Sequence, residues 1–69
     1  MNIRKCLGRN LRRFREGKGL SQEKFAFEAQ IHRTYISDIE QGARNPTIMI
    51  VQKLADALGV SASDLLADK

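Results

Sequence analysis

Residues 21–42, SQEKFAFEAQIHRTYISDIEQG, decide how this chain folds. They read as two short helices joined by a tight turn. Ser21 is a good N-cap, because a hydroxyl can accept from the unpaired amides of a first helical turn. Leu20 and Phe25 flank it at the spacing of a hydrophobic staple, while Lys24 at the third helical position rules out a capping box. Phe25, Ala26 and Ala29 form the inner stripe, and the two alanines let another helix approach closely. Gln30, Ile31 and His32 make the turn. The following helix is expected over 33–41, with Ile36 and Ile39 facing inward, Ile31 anchoring the turn and Gly42 closing the unit. Phe27 falls off the inner stripe, so it either packs sideways under the chain ends or lies partly exposed.

Working outward, residues 3–16 form a helix in which Ile3, Leu7, Leu11 and Phe14 recur at helical spacing. Arg4, Lys5, Arg9, Arg12, Arg13 and Arg15 lie between them and make the other face basic. Gly17 is suited to a left-handed C-terminal cap. Beyond the loop of Ala43, Arg44, Asn45 and Pro46, Thr47 caps a helix whose inner stripe is Ile48, Val51, Leu54, Ala55 and Leu58, ended by Gly59. Ser61 and Asp64 form a capping box for a short last helix ending near Leu66. No segment alternates as a strand does. The expected fold is all-α, a five-helix single domain over residues 1–69.

Composition narrows the function. A chain of 69 residues buries only about 60% of its unfolded surface, so its core must be well packed or shared with a partner. It has no apolar run long enough to span a membrane and no secretory leader, so a cytoplasmic location is expected. An amphipathic basic helix can also lie on a membrane surface, but the apolar stripe of the first helix is needed by so small a core. The single Cys6 can form no internal disulfide, and with one His it builds no zinc site. Cys6 is expected against the interior or half-buried. No cofactor is called for. Catalysis has no nucleophile set, no P-loop and no metal partner for His32, and an RNA-stacking platform is absent. Residues 1–45 hold ten Lys/Arg against five Asp/Glu, and residues 46–69 two against three. A basic front half suits a surface laid on a polyanion, although solvated helix faces would give the same count.

The segments LSQEKFA, IHRTYISDIEQG, RNPT and LADALGVSASDLL resemble the Cro/repressor-type (Xre) helix-turn-helix DNA-binding family over nearly the whole chain. Phe25, Ala26, Ala29, Ile31, Ile36 and Ile39 agree with its apolar sites in their places. Within it, RTYIS and the short length are most similar to the small controller proteins of restriction–modification systems. The resemblance implies a regulator of transcription that binds double-stranded DNA. In such a fold the second helix of the unit enters the major groove and its N-terminal residues reach base edges. Arg33 would then pair with guanine, Thr34 would offer a methyl or hydroxyl, and Ser37 would hydrogen-bond one turn on. Asp38 either accepts from cytosine or, the favoured role, orients Arg33 or Arg44. Tyr35 either reaches a base or phosphate or is a satisfied rim residue. The resemblance gives Gln22 a grip on the phosphate backbone, with Arg44, Asn45 and Thr47 on the other side of the clamp and Arg13 or Arg12 adding longer contacts. The turn position held here by Gln30 is often glycine in that family because it takes positive φ. Gln30 there costs on the order of 1–2 kcal/mol.

Three or four bases are too few for specific affinity, so a homodimer on a (pseudo)palindromic operator is expected. Met49 and Ile50 lie off the core stripe of their helix, and with Val60, Leu65 and Leu66 they are the expected dimer face. The alternative is that Leu65 and Leu66 only close the monomer core. Asp38 and Glu40 could instead touch RNA polymerase, although Glu40 also suits an internal polar network. The rival function is an antitoxin-like module that acts mainly through a protein partner.

Overall fold

The computed structural model describes residues 1–68, which form five helices and no strand. They are α1 (Ile3–Gly17), α2 (Gln22–Ala29), α3 (Arg33–Glu40), α4 (Ile48–Leu58) and α5 (Ala62–Leu66). Among these residues no helix is long and apolar enough to cross a membrane.

Side chains cap every start. Asn2 accepts from Arg4 and Lys5, Ser21 from Lys24 at 3.0 Å, and Thr47 from Ile50 at 3.2 Å. Ser61 and Asp64 close the expected capping box, each bonding the other's backbone amide. The N-cap of α3 is His32, whose Nδ1 accepts from the Thr34 amide at 3.1 Å. Each such cap contributes on the order of 1 kcal/mol.

The ends of α1 and α3 follow one pattern. After α1 the left-handed residue is Gly19 (φ 71°), not Gly17, which remains the last helical residue. Two bonds place it there: Gly19 N–H donates to the Glu16 carbonyl at 2.9 Å, and Leu20 N–H to the Arg15 carbonyl at 3.2 Å. This is the paired closure of a Schellman motif, which puts the left-handed residue just beyond the cap, Lys18. Gly42 closes α3 in the same way, so that helix stops one residue short of the expected Gln41.

Leu7, Leu11, Phe25, Ala26, Ala29, Ile36, Ile39, Val51, Leu54, Ala55, Leu58 and Leu65 make one buried cluster. Phe14, Leu20 and Ile31 pack against its edge. Two residues assigned to inner stripes are not in it. Ile3 is 52% exposed and Ile48 84% exposed, because each opens its helix beyond the layer that the other helices cover. They line one surface groove with Leu7, Pro46, Val51 and Leu66. Phe27 takes the exposed alternative, at 84%.

Two polar residues of α1 are buried instead of facing water. Asn10 is 0% exposed and donates to the carbonyls of Leu65 at 2.9 Å and Ala67 at 2.7 Å, tying the C-terminal segment to α1. Arg15, assigned above to the basic outer face, is 7% exposed and ion-paired with Glu40. Its hydrogen bonds to Glu40 raise the guanidinium further above its ordinary value. Cys6 is buried, and burial, with Asp68 as its hydrogen-bond partner, pushes its thiol up.

Gly8 explains how α1 and α3 meet. A Cβ there would stand 2.5 Å from the Ile39 carbonyl oxygen and 2.7 Å from that of Glu40, inside backbone contact distance. Only a bare Cα lets the helices approach this closely.

Gln30 has φ 58° and ψ 43°, the left-handed conformation expected of it, and it is the one non-glycine residue with positive φ among those described. Its carbonyl is not wasted: Lys53 Nζ of α4 donates to it at 3.3 Å. Because that bond uses the backbone, Gln30→Gly keeps it while removing the Cβ conflict. The variant is expected to gain about 1 kcal/mol, read as a higher urea midpoint at unchanged m; an equal or lower midpoint would show the turn to be unstrained.

Candidate nucleic-acid interface

The tight turn fixes α3 against α2, and the burial of Ile36 and Ile39 leaves the opposite side of α3 outward. Arg33 and Thr34, at its start, are exposed. The His32 cap holds the first turn in helical form, so these two side chains leave a fixed backbone. Ser37 lies one turn further along, half-buried, with its hydroxyl accepting from Gln41 Nε2 at 3.2 Å. Its hydroxyl proton remains available to donate.

Tyr35, Asp38 and Arg44 form a single unit. The Arg44 guanidinium stacks over the Tyr35 ring, 4.4 Å from its centroid, and Arg44 Nε donates to Asp38 Oδ2 at 3.3 Å. Of the two arginines weighed for Asp38, it is Arg44 and not Arg33 that it bonds. The pair is partly exposed, with side-chain exposures of 47% and 34%, so its energetic worth is small. Its value is geometric: the stack and the carboxylate engage one face and the Nε of the guanidinium, leaving the terminal nitrogens for another acceptor. Tyr35 is half-buried against the core cluster, with a cation over its ring.

The flanking groups expected to hold phosphate sit on different elements. Gln22 is the first residue of α2 and half-buried, its Nε2 donating to Glu40 Oε1 at 3.0 Å. Asn45 and Thr47 are exposed beside the start of α4, and Thr47 Oγ1 is engaged as the cap of that helix. Arg13 is exposed, with its guanidinium 5.3 Å from the centroid of Phe14. Arg12 pairs with Glu16 at 3.1 Å on the same outer face. Gly42 and the loop after it bring Arg44 back to α3, whereas Arg13 belongs to α1.

The expected dimer residues divide. Leu65 is 0% exposed and belongs to the core, so it is removed from the interface; α5 needs one anchor, and Asn10 holds its carbonyl. Ile50, Val60 and Leu66 are half-buried against the core, and Met49 is 75% exposed. Ile48, which the sequence stripe turned inward, extends the apolar surface that Met49 begins. Glu40 is also removed from any outer contact: its side chain is 5% exposed and both oxygens bond Arg15. Of the acidic pair weighed against RNA polymerase, Asp38 alone stays at the surface, 34% exposed and paired with Arg44.

Sequence reasoning missed His32 as a cap and Asn10 and Arg15 as buried groups. The last two had a signal. Arg15 stands four residues after Leu11, itself four after Leu7, in the same row of the helix surface, and Asn10 follows Cys6 at the same interval.

The helix-turn-helix profile HTH_3 matches residues 11–65. Control protein C.BamHI of Bacillus amyloliquefaciens is 52% identical over 66 residues, spanning 94% of this chain and 82% of that protein. The restriction-modification controller protein C.AhdI of Aeromonas hydrophila has the same fold, with a TM-score of 0.86 and 39% identity over 90% of this chain and 94% of its own. SinR, a master regulator for biofilm formation solved in complex with DNA, matches with a TM-score of 0.84 and 32% identity, over 88% of this chain and 98% of its own. With its five helices, its turn and its polar α3 face in their places, the chain belongs to the HTH_3 (Xre-type) family of helix-turn-helix DNA-binding transcriptional regulators.

Proposed function

We propose that this regulator binds double-stranded DNA as a homodimer on a (pseudo)palindromic operator and is the autoregulating controller of a restriction–modification system. The observation that carries the DNA-reading part is the prearranged α3 face, with Arg33 and Thr34 on a capped first turn and Arg44 held by Tyr35 and Asp38 beside it. An α-helix fits the major groove, and side chains near its start reach the base edges. Arg33 pairs there with guanine N7 and O6, Thr34 meets a thymine methyl or a base acceptor, and Ser37 donates further along. Gln22, Arg44, Asn45, Thr47 and Arg13 hold phosphates on either side. The controller role is supported by the 52% identity to a control protein over nearly the full length of both. A protein that must pair before it reads couples its own concentration to operator occupancy, and this suits self-regulation.

Three variants test the division of labour. Arg33→Ala is expected to lose about 1–3 kcal/mol of discrimination at one base per half-site; a binding assay on single-base operator variants that returns the wild-type preference removes that role. Arg44→Ala is expected to weaken all duplexes alike and to lower the slope of log affinity against log salt by about one unit. An unchanged slope would take Arg44 off the phosphate. For the dimer face, Met49→Glu is preferable to a change at half-buried Ile50, since Met49 contributes little to the core. Its sedimentation is expected to shift to monomer with the melting temperature retained, and a persistent dimer would move the interface elsewhere.

A further inference from the structure

A carboxylate on the helix that faces a polyanion needs a reason. Glu40 ends α3, its side chain 5% exposed, and its two oxygens accept three hydrogen bonds. Arg15 Nε donates to Oε2 at 2.6 Å and Arg15 Nη2 to Oε1 at 3.0 Å. The third donor is Gln22 Nε2, at 3.0 Å from Oε1. Arg15 in turn donates from Nη1 to the Leu20 carbonyl at 2.7 Å, in the connector that leads into α2. The run Leu20–Arg15–Glu40–Gln22 thus joins the start of α2 to the end of α3 through α1.

A primary amide presents a donor end and an acceptor end of nearly the same shape. A Gln free to rotate would offer its carbonyl oxygen outward as readily as its nitrogen, and an oxygen turned toward phosphate repels it. Glu40 removes that choice. Its carboxylate can only accept, so the Gln22 nitrogen must point toward it, and the second N–H of the same nitrogen is left over. Among the described residues Gln22 has no other side-chain partner. The bidentate guanidinium balances the carboxylate charge, so the phosphate meets an oriented donor and not a net negative group.

We infer that Glu40 is a positioning residue for DNA binding: it fixes the Gln22 side-chain amide with its second N–H free to donate to a backbone phosphate. The inference rests on the reading of Gln22 as a phosphate contact.

Removing Glu40 alone would leave Arg15 buried and unpaired, which threatens the fold. The test therefore compares the wild-type chain, in which Glu40 can only accept, with Arg15→Met/Glu40→Leu, which removes both charges together and leaves Gln22 no acceptor. The probe is a duplex selected from random sequence by the wild-type chain. Where the acceptor is kept, Gln22→Ala is expected to weaken binding about tenfold, and where it is lost by less than about twofold. An equal cost in both backgrounds overturns the positioning role and leaves the phosphate contact standing. If Gln22→Ala costs nothing in the wild-type chain, the phosphate contact falls and the positioning role with it. A readout that needs no variant is the pair of Gln22 side-chain amide protons in NMR spectra of the wild-type protein. One is expected to be protected from exchange before DNA is added, and the other to shift when the duplex binds. Two protons that exchange alike in the free protein would overturn the inference without any mutation.

Discussion

Taking the Arg15 guanidinium and the Glu40 carboxylate out of water costs several kcal/mol for each ion, and the packing around them is arranged to offset it. The two meet in a bidentate fork with donor–acceptor distances of 2.6 and 3.0 Å. Their remaining capacity goes to the Leu20 carbonyl and the Gln22 amide, and no described buried side-chain nitrogen or oxygen lacks a partner. The pair can form only because Gly8 lets α1 lie directly on the backbone of α3. A methyl group at that position would push the helices apart and pull the fork open. The angle of α3, and with it the direction in which Arg33 and Thr34 project, is therefore set by one missing side chain and one ion pair on the same two helices.

Most of the helical layout was legible because apolar periodicity and capping residues are local signals. Ser21, Thr47 and the Ser61–Asp64 box mark three starts, and Phe25, Ala26, Ala29, Ile36 and Ile39 are buried as their spacing requires. The errors lie where a residue's fate depends on what is packed over it. Ile3 and Ile48 have the spacing of core residues, but each stands at the very start of its helix, 52% and 84% exposed. Arg15 and Asn10 have polar side chains and sit inside, because partners distant in sequence satisfy them: Glu40 is 25 residues away, and the Leu65 carbonyl 55. Pattern reading assigns polarity to a face and cannot see a partner brought from another helix. The α3 surface was readable for the same reason that the core was, since the buried isoleucines define its opposite side. What was not readable was which of two arginines Asp38 would meet, since Arg44 arrives beside it only through the turn closed at Gly42.

The small size of the chain shows in how its apolar residues are spent. Leu65 is consumed by the core while Ile48 and Met49 are left out, at 84% and 75% exposure. Two adjacent large apolar side chains at the start of one helix, next to a groove that also holds Ile3 and Leu66, are a substantial share of a surface this small. Covering them with a second copy would extend a core that 69 residues cannot enlarge by themselves. Stability and pairing would then draw on the same residues.

The stack of Arg44 on Tyr35 has a spectroscopic side. Tyr35 is the one tyrosine of the chain and there is no tryptophan, so the protein's ultraviolet emission originates almost wholly from a ring on its α3 face. The guanidinium stands 4.4 Å from that ring, close enough for any change in its position to alter the ring's surroundings. A duplex that draws Arg44 toward a phosphate must pass through this contact. The unlabelled protein thus carries its own fluorescent reporter on the face proposed to meet DNA.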